Sequence, residues 1–318
     1  ALGIAKKSGD LRFEGVCLGN LAILERDQGR VEQAKRLYEQ ALGIARQVGD
    51  LRLEGSCLGN LGYLEREQGG IEQAKRLHER ALGIAKQVGD LRLEGIWLGN
   101  LAHIEWEQGR GERAKRFYEQ ALGIARKFGD LKYEGTWLGN LGNLERGQGD
   151  VEQAELHFEA ALEISSRIGH IRLKGFCLGS LGFLKGEQGE VEQARVLYEQ
   201  ALGIARQVGD LGRQGSWLGD MGYLELQQGR VEQAKRLYEQ ALGIAIQVGS
   251  AQVEVHCRAG LGQCHVAEDD LERAKVHLEV CFSLLTDLKR MRSSEDAHVV
   301  LELAGALGVS VPEGTFVD

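Results

Sequence analysis

A forty-residue stretch, ALGIARQVGDLRLEGSCLGNLGYLEREQGGIEQAKRLHER from Ala41 to Arg80, recurs with light editing from Ala1, Ala81, Ala121, Ala161, Ala201 and Ala241. A fixed period constrains the fold more than composition does. Each unit is one supersecondary element that cannot bury its own apolar face, so it stacks on its copies. Length alone, at 318 residues, would suggest about two globular domains. The period replaces that expectation with one solenoid whose core grows unit by unit.

Two helical patterns fit inside each period, one from about Leu51 to Gln68 and one from about Ile71 to Val88. Ile71, Ala74, Leu77, His78, Ala81 and Leu82 form one apolar stripe at helical spacing, and Leu58, Leu61, Gly62 and Leu64 form another. Gly49 and Gly69 stand where helices must end, because glycine takes the left-handed conformation at no steric cost. Asp50 follows Gly49 and suits an N-cap. Breaks this short make neighbouring helices antiparallel. The expected fold is all-α, an alpha-alpha superhelix of stacked antiparallel hairpins.

Two columns of small residues allow close helix approach: Ala34, Ala74, Ala114, Ala154, Ala194, Ala234 and Ala274, and Ala22, Gly62, Ala102, Gly142, Gly182, Gly222 and Gly262. At these residues the chain resembles the tetratricopeptide repeat (TPR). The family's Leu-Gly pair, turn glycine, alanine, aromatic and alanine correspond to Leu61-Gly62, Gly69, Ala74, His78 (Tyr38, Tyr118, Tyr198 and Tyr238 in other units) and Ala81. The period is forty rather than thirty-four, the helix-ending proline is missing, and Glu25, Glu65, Glu105, Glu145 and Glu225 replace a late tyrosine of the first helix. The longer unit resembles the variant in spindle-orientation adaptors and bacterial signalling arrays.

The expected organisation is the end of a truncated preceding repeat over 1–10, about seven repeats over 11–290, a capping helix over 291–307 and a tail over 308–318. The chain opens without methionine inside a second-helix pattern, which reads as a segment of a longer protein. From Val151 the pattern loosens, and Asp269-Asp270 replaces the glycine turn in the last unit. A net charge of −8 gives no basic face for nucleic acid. No apolar run approaches the roughly 20 residues that span a bilayer. Cys17 and Cys57 occupy one column, but helix axes about 8–10 Å apart exceed the roughly 7 Å Cα separation of a disulfide. The six cysteines therefore read as reduced, and the chain as cytoplasmic.

No cofactor and no metal site is expected. His256-Cys257 and Cys264-His265 offer zinc-binding types, but nine helical residues turn about 900° and set the histidines on opposite sides. Gly260-Leu261-Gly262 lies in a helix and lacks the rest of a phosphate loop. A glutamate repeated unit after unit reads as a structural ladder rather than an acid–base pair, with neighbouring Arg and Lys (Arg36, Arg76, Arg116) as its expected partners. The chain is not expected to be an enzyme.

Four columns vary while the rest barely change. They are Phe13, Leu53, Leu93, Tyr133, Leu173 and Arg213; Val16, Ser56, Ile96, Thr136, Phe176 and Ser216; Ile23, Tyr63, His103, Asn143, Phe183 and Tyr223; and Arg26, Arg66, Trp106, Arg146, Gly186 and Leu226. Their spacing puts them on one side of the first helix. The resemblance implies that this side lines a concave groove. Between the columns run Asn20, Asn60, Asn100 and Asn140, then Ser180 and Asp220. In peptide-binding members of the family, asparagines here hold a ligand's backbone; the alternative is that they bond across the repeat interface or to water. Gly19, Gly59, Gly99 and Gly139 stand where a chaperone-binding clamp would carry lysine. Trp97, Trp137 and Trp217 are expected to fill space between units. The expected function is a protein-interaction scaffold taking a peptide or protein segment in the groove. The alternative is the sensor or regulatory arm of a larger bacterial signalling ATPase or protease. End-to-end self-association through Ala1 to Ala5 is a further expectation.

Overall fold

The computed structural model describes residues 1–288 and 294–310. The described residues form helices joined by short turns, in two compact units, Ala1–Ile164 and Ser165–Asp318. The first unit holds α1 (Leu2–Ser8) and the hairpins α2 (Leu11–Asp27)/α3 (Val31–Val48), α4 (Leu51–Glu67)/α5 (Ile71–Gln87) and α6 (Leu91–Glu107)/α7 (Gly111–Phe128). It continues with α8 (Leu131–Gly147) and α9 (Val151–Arg167), within which the boundary falls. The second unit holds α10 (Ile171–Glu187)/α11 (Val191–Gln207), α12 (Leu211–Gln227)/α13 (Val231–Val248), α14 (Ala251–Ala267)/α15 (Leu271–Leu288) and α16 (Ser294–Leu307).

Each hairpin starts and stops where the sequence dictates. Asp50 Oδ1 accepts from the Leu53 N–H at 3.1 Å, and Asp10, Asp90, Asp130 and Asp210 cap their helices in the same way. Gly49 and Gly69 adopt φ of 69° and 79°. In the seventh repeat Asp269 is forced into that conformation, with φ 61°.

Within the first unit the backbones of α2, α4, α6 and α8 approach in succession, whereas those of α3, α5 and α7 do not approach one another. The first helices therefore line the inner side of the bend. In the second unit α10, α12 and α14 follow the same rule. The interior is built from small residues and leucine: Ala34, Ala41, Leu58, Leu64, Ala74 and Ala81 are among the residues sealed from solvent. Trp97, Trp137 and Trp217 are buried between successive repeats within each compact unit. Helix α16 packs on α14 and α15, where Val299, Val300, Leu303 and Ala304 join Val255, Ala259, Leu278 and Cys281 in one cluster. Residues 311–318 of the expected tail lie outside the described residues.

The glutamate column is a ladder of ion pairs, buried at Glu105, Glu145 and Glu225 and half-buried at Glu65, made with neighbouring lysines and arginines but not with the named Arg36, Arg76 and Arg116. Glu65 meets Lys35 at 2.5 Å, Glu105 meets Lys75 at 2.7 Å, Glu145 meets Lys115 at 3.1 Å and Glu225 meets Arg195 at 2.8 Å. Each partner sits thirty residues earlier, on the second helix of the preceding repeat. Arg36, Arg76 and Arg116 come one residue later, about 100° further round the helix, and miss the interface. Arg110 and Arg230, from the turn after the first helix, add second contacts to Glu105 and Glu225. Burial pushes the Glu105 carboxyl up, but hydrogen bonds from Lys75 and Arg110 outweigh it and hold the group below its usual range.

Candidate functional site

The predicted columns emerge on the inner side of the first helices. In the first unit Asn20 is exposed, and Asn60, Asn100 and Asn140 are half-buried, one per helix. None of these four carboxamides has a hydrogen-bonding partner among the described residues. Bonds from them across the repeat interface are therefore not seen among the described residues, and each retains donors and an acceptor for water or another molecule.

Beneath this row lie buried polar groups. Tyr38, His78 and Tyr118 are sealed from solvent, and Tyr38 Oη, His78 Nδ1 and Tyr118 Oη have no partner. In the seventh repeat, where glycine replaces the column's asparagine, the ring of this layer moves into the space a side chain would take. Gly260 stands in that column, and a Cβ built there would lie 2.2 Å from Cζ of Tyr238. Burial, assisted by Arg66, pushes the His78 imidazole down to about 4, so it is neutral at pH 7. Burial raises the Tyr38 hydroxyl to about 12.

Toward the C-terminal ends of the first helices, side chains from successive repeats join. The Arg26 and Arg66 guanidinium groups lie 5.6 and 5.7 Å from the ring centre of Tyr63. Arg66 Nη1 is 3.2 Å from His103 Nδ1 and donates to Glu107 at 2.9 Å. His103 meets Trp106 edge-on at 6.0 Å. Five predicted residues, Arg26, Tyr63, Arg66, His103 and Trp106, thus form one continuous run. Asn143 and Arg146 continue the same columns on α8, both half-buried. Glu107 was missed. Its signal was the acidic residue that follows the fourth variable column at Asp27, Glu67 and Glu107.

In the second unit Phe183 is half-buried and Tyr223 is exposed on the inner side of α10 and α12. Ser180 is buried and Asp220 half-buried. The Arg213 guanidinium covers Phe176 at 4.9 Å. His256 lies 4.0 Å from Asp220, whereas His265 stacks on His277 at 5.5 Å, so the two histidines of α14 diverge.

Burial raises the Cys57, Cys177, Cys257 and Cys281 thiols to about 12 and Cys264 to about 11, keeping them protonated at neutral pH. No helix among the described residues is long and apolar enough to cross a membrane. A cavity of about 430 Å³ opens where the N-terminal half of α6, the C-terminal half of α7 and the start of α8 meet, walled by Ile96, Ile124, Phe128, Tyr133 and Trp137.

Stacked hairpins with an inner face of this kind define a helical-repeat protein. The chain belongs to the tetratricopeptide repeat family, whose model matches residues 16–87, 93–167, 136–207 and 176–247. Proteins of this family are generally protein-interaction scaffolds. No curated protein matches the chain. Among solved structures, the apo form of RapI is 14% identical with a TM-score of 0.68, over 85% of this chain and 97% of that one. The signal transduction ATPase with numerous domains from Pyrococcus horikoshii, which carries a tetratricopeptide repeat sensor, is 18% identical with a TM-score of 0.66, over 92% of this chain and 44% of that one. The apo quorum sensor NprR from B. thuringiensis is 16% identical with a TM-score of 0.64, over 98% and 85%. At these identities the likeness is one of fold.

Proposed function

We propose that this chain is an interaction scaffold whose inner first-helix face binds a peptide or protein segment. The observation that carries the reading is the row Asn60, Asn100 and Asn140, half-buried and without protein partners, above a layer of buried orphan polar groups. Unpaired polar groups in partly dry surroundings cost free energy that a bound backbone or ordered water offsets. A carboxamide that donates and accepts at once suits an extended peptide. The flanking run of Tyr63, Arg66, His103 and Trp106 supplies the residue types that dominate interface energetics. A cytoplasmic setting is part of the proposal.

The test is selection of binders from a displayed random-peptide library, followed by affinity measurement against the Asn60→Ala, Asn100→Ala, Asn140→Ala triple variant. A loss of roughly tenfold or more, with helicity and melting unchanged, is expected. Unchanged affinity would remove the face from consideration. A second reading, the sensor or regulatory arm of a larger signalling ATPase or protease, is supported by the shared fold with the Pyrococcus horikoshii sensor. End-to-end self-association through Ala1 to Ala5, where Ile4 is 69% exposed, is a subsidiary proposal. Light scattering across a concentration series tests it against Ile4→Glu.

A further inference from the structure

We propose that the cavity at the ends of α6, α7 and α8 receives one aromatic side chain with a polar tip from the peptide that the inner face binds. The inference rests on the scaffold reading above and names an anchor for it.

The repeats themselves show what such a place holds when it is closed. At Gly15 a Cβ would meet Leu53 Cδ2 at 2.8 Å, and at Gly215 it would meet Val253 Cγ1 at 3.4 Å, so there a side chain from the next first helix closes the floor, whereas at Gly55 the nearest atoms are Ile84 Cγ2, Ile84 Cβ and Ala81 O and Leu93 is not among them. Tyr133 stands in the column of Leu53 and Val253. It does not reach Gly95, whose nearest neighbours are Ile124 Cγ2 at 3.2 Å, Ile124 Cβ and Ala121 O. The Tyr133 ring turns aside to stack on Trp137, at 5.7 Å and 20°, with the Arg92 guanidinium 5.9 Å from its centre. Two variable positions, Ile96 and Tyr133, thus converge on a space that the fold leaves open.

Its size and chemistry select the occupant. About 430 Å³ exceeds what a leucine methyl pair closes and falls in the range of sites that hold whole ring systems. The lining combines the aliphatic side chains of Ile96, Ile124 and Ala125 with the rings of Phe128, Tyr133 and Trp137. Such a lining suits an aromatic group in this slot. Phe128 is 56% exposed at the lip, so the slot opens to solvent. At the mouth Arg92 Nε pairs with Asp130 Oδ2 at 3.2 Å, while Asp130 Oδ1 accepts from the Tyr133 N–H at 3.4 Å. Each carboxylate oxygen retains a lone pair for an indole N–H or a phenol O–H.

The probe is N-acetyl-L-tryptophanamide, titrated into the whole chain while the amide resonances of Gly95 and Gly129 are followed by NMR. N-acetyl-L-alaninamide is the control. Saturable shifts with a midpoint of about 1 mM are expected, absent with the control. Tyr133→Leu restores the side chain found at Leu53, and Ile96→Ser the one found at Ser56. Each should weaken the probe by roughly tenfold, and Ile96→Ser serves should Tyr133→Leu fold poorly. The asparagine triple variant should bind the probe normally. Non-saturating shifts, normal binding by both cavity variants, or loss in the asparagine variant would overturn the assignment. If the probe fails while selected peptides still depend on the asparagines, the anchor falls and the scaffold reading stands.

Discussion

Trp97 lies directly over Gly59: a Cβ built on that glycine would stand 2.1 Å from the indole Cη2. The same glycine one repeat earlier, Gly19, has nothing within 4 Å, because Cys57 occupies the tryptophan's place in the next unit. One column therefore carries two opposite predictions. Gly59→Ala forces a rigid, buried ring to move and should destabilise the chain by about 3 kcal/mol, the upper end of overpacking costs. Gly19→Ala should be neutral or stabilise by up to about 1 kcal/mol through helix propensity. Chemical denaturation of the two variants side by side checks both. It also bears on the missing chaperone clamp, since Gly59, Gly99 and Gly179 each lie under a tryptophan of the next unit.

Glu105 tests the ladder. Its side chain is sealed from solvent and held by Lys75, which is itself only 13% exposed. Replacing one partner leaves a charge in a place it cannot rehydrate. Glu105→Gln should cost about 3 kcal/mol, the low end for a one-sided break, because Arg110 and Arg113 reach water. The apolar pair Glu105→Leu with Lys75→Met should recover much of that loss or exceed the parent. A double change no better than Glu105→Gln would mean that the pair contributes more than its own neutralisation.

The fold was legible in the sequence because each of its determinants is local or repeated. Glycine at a fixed place ends a helix, aspartate one residue on starts the next, and small residues at helical spacing fix which faces meet. The inner face was legible for a different reason: repeats with one backbone separate structural columns from variable ones, and Tyr63, Arg66, His103 and Trp106 do come together. What stayed hidden depends on distances of an ångström or on one residue of helix rotation. Lys75 and Arg76 are adjacent and both basic, so composition could not say which one crosses to Glu105. The turn of Tyr133 onto Trp137 has no sequence signal, because leucine and tyrosine are equally acceptable at a partly exposed helical position.

His78 provides a pH test. It stands in a column filled by tyrosine or phenylalanine in Tyr38, Tyr118, Phe158, Tyr198 and Tyr238, and by Leu278 in the seventh repeat. Burial lowers its imidazole from 6.5 to about 4. Between those values the unfolded chain binds a proton that the folded chain refuses. Stability is therefore unaffected by this group above about pH 6.5 and falls as pH drops through the window, with a slope of up to about 1.4 kcal/mol per unit. His78→Tyr removes the effect. The gap in stability between the variant and the parent should widen by about 2 kcal/mol from pH 7 to pH 5. A constant gap would show that His78 titrates alike in both states.

Asp269 offers the converse of the tryptophan–glycine pair, a residue kept where the backbone disfavours it. Thirteen turns before it and at Gly308 use glycine at positive φ, whereas Asp269 adopts φ 61° with a side chain. The left-handed conformation costs an ordinary residue about 1–2 kcal/mol, less for aspartate, whose short polar side chain tolerates it. Its amide still donates to Val266 O at 3.0 Å, as Gly69 donates to Arg66 O at 2.9 Å, so the turn itself is unaltered. Asp269→Gly should therefore stabilise the seventh repeat by about 0.5–1 kcal/mol despite the added freedom of the unfolded chain. Asp269→Val, branched at Cβ, should cost more than 1 kcal/mol. Hydrogen exchange of the α14 and α15 amides, which reports local rather than global opening, should show slower exchange for the first variant and faster for the second. Equal exchange in both would mean that this turn opens without limiting the stability of its hairpin.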